Sequence, residues 1–163
     1  MLRFDAIPKQ VSALIDRLAP HPALKDFALG GGTSLALRFG HRLSVDLDFF
    51  TTQEFSTENL FEKLHIEGAT IIGMGANSLT VDACGVKMDF LRHSYRMLKT
   101  TERIDGITLV SLPDLAAIKL NAIANRGSKK DFFDFAELLD HFTIQKMIGF
   151  FSKKYHSHPT DCA

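Results

Sequence analysis

Two short stretches of this 163-residue chain combine residue types that handle phosphate and divalent cations: Gly30-Gly31-Gly32-Thr33, and Val45-Asp46-Leu47-Asp48-Phe49. Glycines directly before a helix let the backbone approach a phosphate, and the free N–H groups of the first turn, together with the helix dipole, favour the anion. A glycine-rich turn alone is common punctuation, but the Asp46-Leu47-Asp48 pair sharpens it. Residues i and i+2 of a strand share a face, so the two carboxylates stand about 6–7 Å apart at their Cα atoms and reach one or two hard cations. Aspartate is depleted in strands, and two on one face repel unless a cation neutralises them. A pair of Mg²⁺ ions about 4 Å apart is the usual apparatus for in-line transfer at phosphorus, so a third carboxylate is expected. Asp89, in Val86-Lys87-Met88-Asp89-Phe90, alternates with apolar residues on a candidate strand, and Asp82 does so nearly as well. Periodicity does not choose between them.

A second cluster lies near the C-terminus. On a helix Lys119, Ala122 and Arg126 are spaced by three and then four residues, forming one narrow stripe in which the small Ala122 leaves room between two cations. Such a stripe suits a triphosphate, although a solvated helix face produces the same pattern. Ser128 followed three residues later by Asp131 is close to a capping box, and Lys130 with Asp134 is an i,i+4 pair. Arg92, His93, Arg96, Lys99 and Arg103 form a basic run just after Asp89, where a nucleic-acid backbone could approach. His21, His65, His141, His156 and His158 show no ligand spacing and read as surface residues. Phe132, Phe133, Phe135 and Phe142 read as core or interhelical packing.

The elements that must position these residues are legible in outline. Val11, Leu14, Ile15 and Leu18 mark an amphipathic helix over 8–18 that stops at Pro20. Residues 27–29 form a short strand, the glycines a turn, and 33–39 a helix. Residues 44–50 alternate as a half-buried strand, with Val45, Leu47 and Phe49 to one side and Asp46 and Asp48 to the other. A helix over 57–64 follows, then strands over 70–74, 79–83 and 86–91, with Cys84-Gly85 as a tight turn. After a further extended piece at 107–110, residues 112–155 carry three helical stretches broken at Arg126-Gly127-Ser128 and near 141–143. The expectation is an α+β fold: a mixed sheet flanked by helices over 1–111, and a helical part over 112–163 packed on it as one compact unit.

Composition narrows the class further. Hydrophobic residues make up 45% and charged residues 23%, which excludes wholesale disorder and fibrous architectures. Fourteen Phe against two Tyr and no Trp make phenylalanine the dominant aromatic of the core. Nineteen basic and nineteen acidic residues cancel, so any nucleic-acid partner must meet a local basic face. Cys84 and Cys162 provide neither a disulfide framework nor a zinc cluster. Asp5, Lys9 and Asp16 interrupt the apolar residues of the N-terminus, leaving no signal-peptide core and no membrane-spanning run, and the cytoplasm is the expected compartment.

A glycine pair, a spacer, hydrophobic-Asp-hydrophobic-Asp-hydrophobic and a later lone strand Asp resemble the nucleotidyltransferase fold shared with DNA polymerase β and aminoglycoside nucleotidyltransferases. Gly31-Gly32-Thr33-Ser34-Leu35-Ala36-Leu37, Gly40-His41-Arg42, Ser44 and Asp46-Leu47-Asp48-Phe49-Phe50 resemble, more narrowly, the AbiEii/AbiGii family of toxin nucleotidyltransferases. Lys119, Ala122, Arg126, Lys130-Asp131 and Asp134 reproduce that family's pattern K-x-x-A-x-x-x-R-x-x-x-K-D-x-x-D without a gap. The resemblance covers most of residues 27–136.

It implies transfer of a nucleoside monophosphate from an NTP to an acceptor hydroxyl with release of pyrophosphate. Asp46, Asp48 and Asp89 would bind Mg²⁺ or Mn²⁺. Gly31, Gly32 and Thr33, with Arg42, Ser44, Arg126 and Lys130, would hold the nucleotide. Lys119 and Arg126 would neutralise the leaving pyrophosphate, and Asp131 would act as general base or as a partner of Lys119. The implied setting is a bacterial toxin-antitoxin pair linked to phage defence by abortive infection, with tRNA or another RNA as acceptor, a cognate antitoxin as partner and no membrane. The alternatives are a nucleotide-binding regulator without transfer activity, and an adenylyltransferase acting on a small molecule such as an antibiotic. Family members continue well beyond the second motif, whereas this chain stops at Ala163, an expected shortfall on the acceptor side. If the carboxylates hold metal, Mg²⁺ or Mn²⁺ with NTP raises the melting temperature by mass action, and Asp46→Asn with Asp48→Asn abolishes that rise while the fold persists.

Overall fold

The structure, a computed structural model, describes residues 1–156, so His158 and Cys162 lie outside the described residues. The first helix, α1 (Lys9–Leu18), buries Val11, Leu14, Ile15 and Leu18, the stripe that its periodicity marks. β1 (Ala28–Gly30) runs directly into α2 (Gly31–Phe39), which ends at Gly40 in the left-handed conformation that glycine tolerates best, φ +66°. β2 (Leu47–Thr51) follows, then α3 (Thr57–Leu64), whose N-cap Ser56 accepts from the Asn59 N–H at 3.2 Å. β3 (Thr70–Gly75), β4 (Ser78–Ala83) and β5 (Val86–Arg92) form an antiparallel meander, turned at Cys84-Gly85 with both residues at positive φ. β6 (Glu102–Ile104) and β7 (Ile107–Leu109) make a hairpin, and α4 (Leu112–Asn125), α5 (Lys129–Leu139) and α6 (Ile144–Tyr155) complete the described chain.

The seven strands form one mixed sheet in the order β3-β4-β5-β2-β1-β7-β6. β2 is parallel to β5 and antiparallel to β1, while β1 is parallel to β7. One face carries Leu47, Phe49, Val81, Met88 and Phe90 and packs against α1 and α3. The other face joins Ala28, Phe50 and Val110 to Leu115 and Ala116 of α4, Leu138 of α5 and Met147 of α6. The helical part therefore shares a core with the sheet. No helix among the described residues is long and apolar enough to cross a membrane.

Three expectations need correction. The strand expected over 44–50 begins only at Leu47, and Val45, expected inside, is exposed because 40–46 is a loop tied to α2 rather than a strand edge. β6 adds a strand before the extended piece expected at 107–110, turned at Asp105-Gly106 with both residues at positive φ, a strong hairpin signal. Phe135 and Phe142 pack in the helical core as expected, but Phe132 and Phe133 are 53% and 52% exposed, because α5 turns its other side inward to bury Asp131 and Asp134.

One buried ion pair ties the helical part down. Lys154 of α6 donates to Asp114 Oδ1 at 2.6 Å and to the Arg96 carbonyl at 3.1 Å, with both side chains of the pair fully buried. Asp114 also accepts from the Leu98 and Lys99 N–H groups and from Ser111 Oγ. Removing one partner of a buried pair costs about 3–5 kcal/mol, since a charge is left behind. Lys154→Met should therefore destabilise the protein by about 3 kcal/mol in urea unfolding, and a loss under about 1 kcal/mol would mean that the backbone donors suffice for Asp114.

Candidate active site

Parallel pairing of β2 with β5 puts Asp48 directly beside Asp89, on neighbouring strands about 4.8 Å apart. Asp89 accepts from Thr80 Oγ1 of β4 at 2.5 Å and pairs with Lys87 Nζ at 3.1 Å. Asp82, the rival third carboxylate, pairs with Lys87 across β4 and β5, one strand farther from β2. Strand order thus brings Asp89, not Asp82, against Asp48. Asp46 lies in the loop just before β2, half exposed, with Lys130 Nζ 3.7 Å away.

The glycines place the N-terminus of α2 against these carboxylates. Gly31 has φ +62°, and a Cβ there would collide with the Asp48 carboxylate. A Cβ on Gly32 would collide with the Arg42 guanidinium. Gly30, the N-cap, supplies no side-chain oxygen, so the first-turn N–H groups of α2 have no cap of the usual kind. Thr33 and Ser44 are both buried, their hydroxyls 2.7 Å apart, and Thr33 also donates to the Asp46 carbonyl. These two side chains fasten the loop that carries Asp46 and are turned away from solvent.

The opposite wall is a lattice of charges between α4, α5 and the 41–42 loop. Asp131 Oδ1 accepts from Lys119 Nζ at 3.1 Å and Arg126 Nη2 at 3.0 Å, while Oδ2 accepts from Arg126 Nε, the Ser128 N–H and Ser128 Oγ. The capping box expected at Ser128 is present. Asp134 receives a two-pronged Arg42 contact at 2.7 and 2.9 Å, His41 Nε2 at 2.7 Å and Lys119 Nζ at 2.9 Å. An ionised carboxylate only accepts, so His41 carries its proton on Nε2. The stripe expected on α4 is split by burial: Lys119 is 8% exposed between two buried carboxylates, whereas Arg126 is 68% exposed.

Asp48 and the two wall carboxylates shift in opposite directions. Hydrogen bonds from Arg126, Ser128 and Lys119 hold Asp131 well below the usual carboxylate range. Burial pushes Asp134 up, but His41, Arg42 and Lys119 outweigh it and the group ends low. Asp48 goes the other way, pushed up to about 6 by burial first and then by Asp89 and Asp46. Asp89 raises Lys87 above the usual lysine range through their hydrogen bond.

Asp134, His41 and Lys87 belong to this neighbourhood, and the i,i+4 pair expected between Lys130 and Asp134 does not form, because Lys130 lies against Asp46 while His41, Arg42 and Lys119 surround Asp134. Asp134 stood in the second motif, and Lys87 shares a strand face with Asp89 by the i, i+2 rule, so both left a signal. His41 stood beside Arg42 in the first motif, but its contact with Asp134 across 93 residues left no local signal. The basic run expected beside the site is elsewhere: β5 carries it away from Asp48, Arg92 pairs with Glu54 at 3.2 Å, and Arg103 lies in β6 near the far edge of the sheet.

Among the described residues no three His, Cys, Asp or Glu side chains form a ready-made metal cage. Two adjacent carboxylates with a third nearby still fit Mg²⁺, which is usually held by one or two carboxylates plus substrate phosphate and keeps several waters. The raised Asp48 sets a test. Its ionisation in the folded protein costs stability that is absent below about pH 4, grows as pH rises to about 6 and is constant above. Asp48→Asn, without divalent cations, should gain on the order of 2 kcal/mol at pH 7.5 and nothing at pH 4. Equal gains at both pH values would show that the carboxylate is not strained.

Comparison with known proteins adds a family match and a fold. Residues 13–82 match the family model described as nucleotidyl transferase AbiEii toxin of a Type IV toxin-antitoxin system. An uncharacterised protein of Aquifex aeolicus (strain VF5) is 32% identical, over 93% of this chain and 77% of its own length. Among solved structures, JHP933 from Helicobacter pylori superimposes with a TM-score of 0.62 at 18% identity, covering 83% of this chain and 68% of that one. The antibiotic-resistance factor ANT(2'')-Ia gives a TM-score of 0.66 at 12% identity, covering 88% and 89%. The Megavirus polyadenylate synthase gives 0.57 at 14% identity, covering 80% of this chain and 31% of that one. With its glycine turn and paired aspartates inside the matched segment and the nucleotidyltransferase fold around them, residues 13–82 carry the AbiEii nucleotidyltransferase domain and the chain is a nucleotidyltransferase.

Proposed function

We propose that this protein moves a nucleoside monophosphate from an NTP to an acceptor hydroxyl, with tRNA or another RNA as acceptor, and that it serves as the toxin of a toxin-antitoxin pair with a cognate antitoxin. The observation that carries the reading is the seating of Asp48 and Asp89 side by side against the glycine-rich N-terminus of α2. Asp46, Asp48 and Asp89 would hold Mg²⁺ or Mn²⁺. When bound, such a cation neutralises phosphate oxygens and charge developing in the transfer step.

The chain's own residues do the rest. The Gly31-Gly32 turn lets phosphate oxygens come close to the first-turn N–H groups of α2. Arg126 and Lys130, both largely exposed, have the reach to meet the leaving pyrophosphate. Lys119 adds positive potential from behind, while Thr33, Ser44 and Arg42 act by fixing the loop and wall that frame the site. The acceptor oxygen bonds to the α-phosphorus as the bond to the β-phosphate oxygen breaks, and pyrophosphate leaves. Asp131, surrounded by five donor contacts and less basic than an ordinary carboxylate, suits positioning Lys119 and Arg126 better than taking the acceptor's proton.

A small-molecule acceptor would ask for a deep acidic pocket. The carboxylate floor is bordered by the exposed Lys87 instead, and a cavity of about 310 Å³ lies at the other end of β1 and β2, beneath Phe50, His93 and Met97. The regulator reading is disfavoured because every motif carboxylate is in place. Label from an α-phosphate-labelled NTP should become attached to RNA and label from the γ-phosphate should not. Transfer to aminoglycosides alone, or NTP binding without transfer, would favour the alternatives. On the same assay Asp131→Asn should lose stability, by about 1–3 kcal/mol, together with NTP affinity, since it leaves buried Lys119 short of a counter-charge. A general base would instead lose roughly 10²–10⁴ in rate with stability and affinity intact.

A further inference from the structure

The nucleotide reading leaves one cation of the site unused. Lys87 precedes Asp89 by two residues on β5, and its Nζ stands 3.1 Å from Asp89 Oδ2 on a side chain that is 53% exposed. The other Asp89 oxygen is occupied by Thr80. Across the site Lys130, also exposed, stands 3.7 Å from Asp46. Each outer carboxylate therefore faces one long, solvated ammonium, and among the described residues no ammonium lies within ion-pair distance of Asp48 between them.

These contacts differ in kind from that of Lys119. Lys119 is buried against two carboxylates and cannot leave without stranding both. Lys87 makes a single exposed contact through a flexible four-carbon stem, the weak and exchangeable sort of ion pair. An ammonium at Asp89 Oδ2 and a divalent cation at the Asp48–Asp89 pair would repel each other across one carboxylate, which favours release of the weakly held lysine. Position adds a second point: Lys87 lies on the β4 side of the floor, away from the α4–α5 junction that supplies Arg126 and Lys130.

We propose that Lys87 is the exchangeable counter-ion of the Asp48–Asp89 pair, resting on Asp89 and giving up that oxygen to a divalent cation, so that metal loading frees an ammonium on the β4 flank. The proposal rests on the metal reading given above. Lys87 then screens the carboxylates against bare metal and becomes available to phosphate once metal is in place.

Mn²⁺ binding followed by electron paramagnetic resonance, without nucleotide, tests this alongside amine labelling. Lys87→Gln should bind Mn²⁺ roughly threefold to tenfold more tightly than the wild type, and Lys87→Arg, which keeps the charge, should stay within about twofold. In the wild type, Mn²⁺ should speed reductive methylation of Lys87, mapped by mass spectrometry, while exposed Lys63 on α3 is unaffected. Equal or weaker Mn²⁺ binding by Lys87→Gln, or Lys87 labelling that ignores Mn²⁺, overturns the exchange and leaves the metal site standing. No Mn²⁺ binding by the wild type, or binding that survives Asp46→Asn with Asp48→Asn, overturns the metal site and the exchange together.

Discussion

Two carboxylates buried under helix α5 impose the geometry of the site. Asp131 and Asp134 have no solvent exposure, and a buried carboxylate is tolerable only when paired and hydrogen-bonded. Lys119 serves both, Arg126 serves the first, and Arg42 with His41 serves the second. α4, α5 and the loop after α2 are thereby held at fixed separation by charge rather than by apolar packing alone. The same contacts explain why α5 turns Phe132 and Phe133 outward: the side that would have packed them is occupied by the carboxylates.

Against this wall stands a floor built on the opposite principle. Asp48 and Asp89 are brought together by strand register, and burial raises Asp48 instead of lowering it. One residue type thus occurs in two electrostatic environments within one site. In the wall the positive charges are built in and both carboxylates are buried and paired. On the floor the positive charge at Asp89 and Asp46 comes from exposed lysines, and Asp48 is left strained, which is the condition expected of a place that receives cations from outside.

The glycines join floor to wall. Gly31 admits the Asp48 carboxylate and Gly32 the Arg42 guanidinium, each where a Cβ would collide, so the N-terminus of α2 lies between an acidic pair on one side and a guanidinium held by Asp134 on the other. An incoming triphosphate would meet backbone N–H groups, exposed cations and carboxylates able to share a metal within one short span. Farther off, the Lys154–Asp114 pair anchors α6 and the 96–99 segment to the start of α4, which keeps the frame behind Lys119 in place.

Much of this was legible in the sequence, because local spacing carries it. The stripe of α1, the alternation of β5, the Gly-rich entry to α2 and the Ser128-Asp131 cap are all decided within a few residues by helix and strand periods and by cap chemistry. The first motif likewise pointed to the family whose model matches residues 13–82. What spacing could not decide were the meetings across the chain. Asp82 and Asp89 alternate equally well, and only the order of strands, which seats β5 rather than β4 beside β2, separates them. Lys119 and Arg126 form one stripe on a helical wheel, yet packing of α5 buries the first and leaves the second in water. Asp131 reads equally as cap or base until five donors are seen to converge on it. Local periods determined which elements form and which way their residues face, whereas burial and acidity depend on neighbours distant in sequence, and those only the tertiary structure supplied.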